Sequence, residues 1–190
     1  MTTLKISRKE QIELASTELF KVKGYSATSM RDIASTVGIE AASLYSHISS
    51  KELILMRICF KMAKAFNVGI KEVVKTNDPI EVKFKNAIVS HVNIITNDIA
   101  ASAVFWNEWR HLSEPLLSDF IAMQKEYEHA FKSLIEQGID ENVFEVPDAS
   151  FAVMAMLSSL NGIQKWRNYT LPPDELNEAF AAIFLKGIKK

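Results

Sequence analysis

Apolar residues recur along almost the whole of this chain at spacings of three and four, and no stretch shows sustained two-residue alternation. That period lines one face of a helix, whereas a half-buried strand needs a period of two. Only six glycines and five prolines punctuate the 190 residues. The reading is an all-α protein of about nine helices. The first runs from about Ser7 to Lys23, with Ile12, Ala15, Leu19 and Val22 on one face and Gly24 as a left-handed stop. The second starts near Thr28 or Ser29, where Ser29-x-x-Asp32 has capping-box spacing with Asp in place of Glu, and ends at Gly38. A third is buried through Leu44 and Ile48, and a fourth is capped by Ser49 or Ser50 and runs towards Lys75. Past the turn signal Asn77-Asp78-Pro79, five more runs cover about 80–97, 98–112, 115–138, 148–168 and 173–188.

The formal net charge is −1, so the chain as a whole does not attract a polyanion and any such site must be local. The opening MTTLKISRKEQIELAS lacks the apolar run of a signal peptide. The longest uncharged stretch, from Ala149 to Gln164, is too short to span a bilayer. These features predict a cytoplasmic protein with no membrane partner. A single cysteine, Cys59, excludes an internal disulfide framework, and its neighbours Ile58 and Phe60 predict a buried thiol.

The stretch GIEAASLYSHISSKEL, residues 38–53, departs from the pattern of a core helix. After Gly38 come Glu40 and three small residues, Ala41, Ala42 and Ser43, followed by Leu44, Tyr45, His47 and Lys51. Two short helices joined through Gly38-Ile39 have the form of a helix-turn-helix, whose second helix enters the DNA major groove. Small residues at 41–43 let that helix approach base edges closely. Tyr45 and His47, one turn further on, are placed to hydrogen-bond phosphates, and Lys51 adds a point charge. The same spacing also fits an αα-corner with no nucleic-acid role.

Residues 24–53, GYSATSMRDIASTVGIEAASLYSHISSKEL, resemble the DNA-binding signature of the tetracycline-repressor (TetR/AcrR) family. The likeness rests on Gly24, Thr28-Ser29, Ile33-Ala34, Gly38, Leu44-Tyr45, His47 and Lys51-Glu52-Leu53, and extends upstream through Ile12 to Phe20. It implies a homodimer of all-helical subunits. Each would hold a helix-turn-helix reader at residues 1–50 and a ligand-binding and dimerisation domain at 51–190. Carried onto this chain, the implied DNA contacts are Thr28, Ser29, Arg31, Ala42, Ser43, Tyr45, His47 and Lys51. The chain departs from the pattern at Glu40, Ala41 and Ile48. Residues 1–53 hold seven lysines and arginines (5, 8, 9, 21, 23, 31, 51) against six acids (10, 13, 18, 32, 40, 52), which is weakly basic for a DNA reader. Glu40 either repels phosphate, stabilises its helix through the dipole or accepts from a cytosine amino group. Lys5, Arg8 and Lys9 form either a phosphate-binding arm or a frayed terminus.

Further along, FAVMAMLSSL (151–160) is apolar or small on every side and AFAAIFL (179–185) nearly so. Helices of that kind need a second apolar partner, and a symmetric copy of the chain is the simplest one; the alternative is that they are the central helices of a monomer. Ala152, Met156, Ser159, Ile163 and Ile183 are the candidate interface positions. Polar groups set in apolar stripes mark a candidate ligand site: His91 among Phe84, Ile88 and Ile95, Asn161 within 151–163, and Phe105 with Trp109 on the intervening helix. The segment FWNEWRHLSEPL (105–116) is similar to family members that respond to fatty or steroid acyl-coenzyme-A derivatives. The function implied is a ligand-responsive transcriptional regulator, a repressor on a palindromic double-stranded operator. Its effector would be a small apolar molecule such as an acyl-CoA or fatty-acid derivative, with no cofactor. The fourth helix, starting in the reader and ending beyond it, is the expected lever between effector and DNA.

Two other classes compete. Glu108-x-x-His111 and Glu126-x-x-His129 have the spacing of di-iron carboxylate bundles, but no two further helices offer inward glutamates. A helical interaction module that does not bind DNA is the other, suggested by Glu40 and Ala41. No G-x-S-x-G, phosphate-cradling glycine loop or Cys/His zinc spacing is present, so no enzyme and no metal site are expected.

Overall fold

A computed structural model describes residues 6–166 and 171–190. Nine α-helices are formed among them. Helix α1 spans Arg8–Lys23, α2 Met30–Val37, α3 Ala41–His47, α4 Lys51–Lys75, α5 Ile80–Asn97, α6 Ile99–Glu108, α7 Leu116–Asp140, α8 Ala149–Asn161 and α9 Pro173–Ile188. Single 3-10 turns, Trp109–His111 and Gly162–Lys165, continue α6 and α8 where longer helices were expected.

Local chemistry sets the boundaries of the first helices. Ser7 and Glu10 form a complete capping box at the start of α1, and Ser29 and Asp32 form another at α2. Each side chain takes up an N–H that has no partner within the helix, an effect of about 1 kcal/mol per cap. The Ser29 hydroxyl, and after it the Ser29 N–H, donate to the Asp32 carboxylate and hold it below its usual range. Gly38 closes α2 in the left-handed region, at φ 74 and ψ 40. Gly24 also has positive φ, but with ψ 155 it makes an extended turn rather than a left-handed stop. Only glycine enters that region without strain.

The chain divides into two compact units. One comprises the chain up to Met62 together with Ala100–Ser118; the other comprises Ala63–Ile99 and Asp119–Lys190. Packing therefore places α4's first half and all but the first residue of α6 with the reader, which a cut at 50/51 does not anticipate.

In the first unit α2 packs against both α1 and α3. Ile12, Phe20, Ile33, Leu44, Ile48, Ile54 and Leu55 supply fully buried side chains. The buried face of α1 is Ile12, Ser16, Thr17 and Phe20, while Val22 is exposed. This corrects the expected face, because α1 carries two apolar stripes and Ser16 and Thr17 satisfy their hydroxyls on the Ile12 and Glu13 carbonyls. Cys59 is buried here; burial, then the charge of Glu108, pushes its thiol up to about 12.

In the second unit α5 lies along α9 and also meets α8 and the 3-10 turn Gly162–Lys165. Phe84 and Phe144 pack edge to face, and a side chain at Gly138 would overlap the Phe144 ring. Phe144 and Lys189 form an isolated antiparallel bridge, reinforced by Glu145 N–H donating to the Ile188 carbonyl at 2.7 Å.

Candidate nucleic-acid interface

The helix-turn-helix is formed by α2 and α3, with Gly38 N–H donating to the Ser35 carbonyl and Ile39 N–H to the Ala34 carbonyl. Helix α3 buries only Leu44, with Ile48 buried just after it. Ala42, Ser43 and Tyr45 are exposed and His47 half-exposed, so the bare first turn leaves backbone and short side chains open to a groove. Tyr45 is 54% exposed. Glu40 precedes α3, exposed, and its carboxylate makes no capping hydrogen bond.

On α2, Arg31 and Ser29 are exposed, the latter engaged in its capping box. Thr28 is different. It is 1% exposed, and its hydroxyl donates to the Gly24 carbonyl at 2.8 Å. Its place is inside the α1–α2 turn, not on the exposed face. Lys51 is half-buried, its Nζ donating at 2.7 Å to the carbonyls of both Tyr25 and Thr28 and lying 4.1 Å from the centre of the Tyr25 ring. Burial lowers its pKa. Two of its three protons thus hold the turn together, a role that the motif spacing does not reveal. Arg8 pairs with Gln11, and Lys5 lies outside the described residues.

The second unit gathers His91 and Asn161. His91 is fully buried; its Nε2–H donates to Asn161 Oδ1 at 3.0 Å and its Nδ1 accepts from the Tyr127 hydroxyl at 2.8 Å. The amide oxygen can only accept, which fixes the tautomer. Phe66 and Phe131 surround the ring at 4.8 and 6.5 Å. Burial pushes the imidazole down to about 3, against a smaller upward effect of the Asn161 hydrogen bond. Neutral and doubly bonded, His91 has both nitrogens committed. Phe105 and Trp109 fall in the first unit, Phe105 buried and Trp109 half-buried with the Arg110 guanidinium 4.4 Å over its ring.

On α8 the phase of the exposed stripe differs from expectation. Met156 and Ile163 are buried in the chain's own core, which corrects their assignment to an outer interface. Facing outward are Phe151 at 65% exposure, Met154 at 63%, Ala155, Ser158 and Ser159, with Ala152 half-buried. On α9 Ile183 is 63% exposed and Ala182 lies beside it. The paired Glu-x-x-His motifs part company: Glu108 and His111 bind the α1–α2 turn, while Glu126 pairs with Lys71 at the surface. No cluster of three or more potential metal ligands occurs among the described residues. Among those residues no single helix is long and apolar enough to cross a membrane.

An exposed polar helix presented by a capped helix-turn-helix, on an otherwise all-helical chain, defines a DNA-binding regulator. The family model described as bacterial regulatory proteins, tetR family, matches residues 14–58, and the tetracyclin repressor-like C-terminal domain matches 77–188. The chain belongs to the tetracycline-repressor family and is a transcriptional regulator, not an enzyme. It is 26% identical over 189 residues to the transcriptional repressor KstR2 of Mycobacterium tuberculosis H37Rv, covering 96% of this chain and 93% of the relative. A solved structure of the ketosteroid regulator KstR2 from Mycobacterium tuberculosis superposes with a TM-score of 0.91 at 22% identity, over 100% of both chains. AibR, solved in complex with isovaleryl coenzyme A and operator DNA, superposes with a TM-score of 0.80 at 20% identity, over 93% of this chain and 97% of its own.

Proposed function

We propose that the chain is a cytoplasmic homodimeric repressor that grips a palindromic operator through α3 and is controlled by a small apolar effector. The observation that carries this reading is the exposed face of Ser29, Arg31, Ala42, Ser43, Tyr45 and His47 around a properly capped α2. Arg31, Tyr45 and His47 take phosphates, and Ala42 and Ser43 approach base edges. Thr28 and Lys51 hold the turn that positions α2. The second copy docks on the outward stripe of α8 and α9, in which Phe151, Met154, Ser159 and Ile183 replace Met156 and Ile163 as the contact set.

For the effector we infer an acyl-coenzyme-A derivative with an apolar acyl group. Support comes from the fold shared with AibR, which was solved in complex with isovaleryl coenzyme A and operator DNA. The aromatic surroundings of His91 in the second unit and, taken separately, Phe105 with Trp109 in the first are the candidate contacts for an acyl group. Effector binding alters operator affinity only through different affinities for the DNA-bound and free arrangements, and coupling of about 1–3 kcal/mol gives a 5- to 150-fold effect. Selection of duplexes from a random library, followed by titration of the selected duplex with and without isovaleryl-CoA and longer acyl-CoAs, tests the reading. Palindromic selection with weaker binding in the presence of one acyl-CoA is the expected result. Selection without a palindrome removes the dimeric operator; affinity unmoved by every acyl-CoA removes the effector class.

A further inference from the structure

The α1–α2 turn, Gly24 to Ser29, determines where α2 begins and so where α3 points. Its polar atoms are held by two elements that are distant in sequence. From one side α4 supplies Lys51, whose ammonium ties the Tyr25 and Thr28 carbonyls together. From the other side the end of α6 supplies Glu108, whose Oε2 accepts the Tyr25 N–H at 3.2 Å, 83 residues away along the chain. His111, in the following 3-10 turn, stacks on the Tyr25 ring at 5.1 Å and 24°, and its Nε2 lies 3.5 Å from the Ser26 hydroxyl. His111 Nε2 also lies 3.4 Å from Glu108. The far end of this segment is fastened in turn, with Ser113 N–H donating to Glu52 Oε1 at 2.7 Å on the first turn of α4. The Tyr25 ring is thereby flanked by an ammonium and an imidazole, with Phe20 edge-on at 5.2 Å.

We propose that Glu108, with His111 beside it, is a positioning residue for operator reading: it fixes the Tyr25 amide, and through the α1–α2 turn it fixes α2 and α3. Neither side chain touches DNA in this reading. Three features separate this from ordinary packing. The Glu108 carboxylate is aimed at a backbone N–H of the turn, where it supplies an acceptor that no local residue offers. Glu108 lies directly over the turn's positive-φ residue, since a Cβ built on Gly24 would stand in ordinary contact with its Oε1 at 3.7 Å. And the segment that carries it also carries Phe105 and Trp109, so an effector that moves α6 acts on the reading helices without passing along α4. A phosphate contact raises affinity for every duplex about equally, whereas a contact that aims the base-reading helix weighs most on the correct sequence.

The inference rests on the DNA-reading assignment above, and the test separates the two. Wild-type protein selects its preferred duplex from a random library; a scrambled duplex of the same length is the reference. If wild-type selects nothing, the assignment of reading to α3 fails and this proposal falls with it. If it selects a duplex, Glu108→Ala is expected to weaken that duplex about tenfold, the scale of one lost charge-assisted hydrogen bond, and the scrambled one by no more than about twofold. Hydrogen exchange of the Tyr25 amide should rise in the same variant. Glu108→Gln keeps a carbonyl acceptor and is expected to restore both discrimination and protection. Faster exchange at Tyr25 with unchanged discrimination overturns the proposal, as does equal weakening of both duplexes. Should Glu108→Ala fail to fold, His111→Ala serves instead. It removes the stacked ring, and an expected drop of about threefold in discrimination corresponds to one aromatic contact. Unchanged discrimination there also overturns the proposal.

Discussion

The two units place their polar side chains in opposite ways. The first buries aliphatic and aromatic groups, uses polar ones to bind turns, and turns a polar face outward on α2 and α3. The second buries a polar network, His91 with Tyr127 and Asn161 and Asn93 with Asn177, and turns an apolar stripe outward on α8 and α9. With both ring nitrogens of His91 hydrogen-bonded to other helices, few arrangements of those helices keep the buried ring satisfied. An apolar stripe left in water calls for an apolar partner, while exposed hydroxyls and a guanidinium suit phosphates. The contrast teaches that a surface shows its partner by what it leaves unsatisfied.

The hardest blow to this contrast is to charge the outer stripe. Met154→Glu combined with Ile183→Glu should give monomers in sedimentation and weaken the selected duplex on the order of 100-fold, since two linked half-sites become one. Met156→Glu, two residues along, should lose folded protein by circular dichroism, because it places a carboxylate in the core. A dimer that withstands the outer charges would place self-association elsewhere.

Next in size is the acid limb. His91 is held near 3 in the folded chain but titrates near 6.5 when unfolded, so falling pH protonates the unfolded state first. The contribution of His91 does not change with pH above about 6.5; below it, stability falls by at most about 1.4 kcal/mol per pH unit until the folded imidazole also protonates. Urea unfolding of wild type and His91→Gln across pH 7 to 5 should show a steeper decline in the wild type. Parallel declines would mean that the ring is not held neutral.

Lys51→Ala gives a smaller effect, about 1–2 kcal/mol of stability from two lost carbonyl contacts, seen as a lower melting temperature. Arg31→Ala should leave the melting temperature unchanged and lower the salt slope by about one. The reverse pattern would make Lys51 the phosphate contact and Arg31 structural. Smallest of all, Tyr45→Phe should weaken every duplex by about 1 kcal/mol. A changed sequence preference would move Tyr45 from the DNA backbone to the bases.

Helix content, the capping box at Ser29 and the reading pair were legible because each rests on local spacing. The same holds for α4, whose limits follow from Ser50 Oγ accepting the Leu53 N–H and the break before Pro79. The phase of α8 was not legible. With Phe151, Met154, Met156 and Ile163 all apolar, nothing local says which side meets the chain's own core. His91 and Asn161 stand out as polar groups in apolar stripes, but no local pattern marks Tyr127, whose hydroxyl completes the trio. Thr28 looked like a surface threonine because the carbonyl it satisfies, Gly24, lies around a turn whose shape depends on positive φ. Glu108 and His111 drew attention for metal-ligand spacing; their real neighbours, Tyr25 and Ser26, are more than 80 residues away, and no local pattern encodes that.

Cys59 makes the DNA-reading body its own stopwatch. It is the one cysteine in the sequence, it is buried, and its thiol stays protonated far above neutral pH. A thiol reagent at pH 8 therefore has to wait for the surrounding helices to part, and its rate relative to a free thiol gives the fraction of time they stand open. No engineered probe is needed to time that breathing. Operator, effector and each substitution described above can all be compared on the same clock.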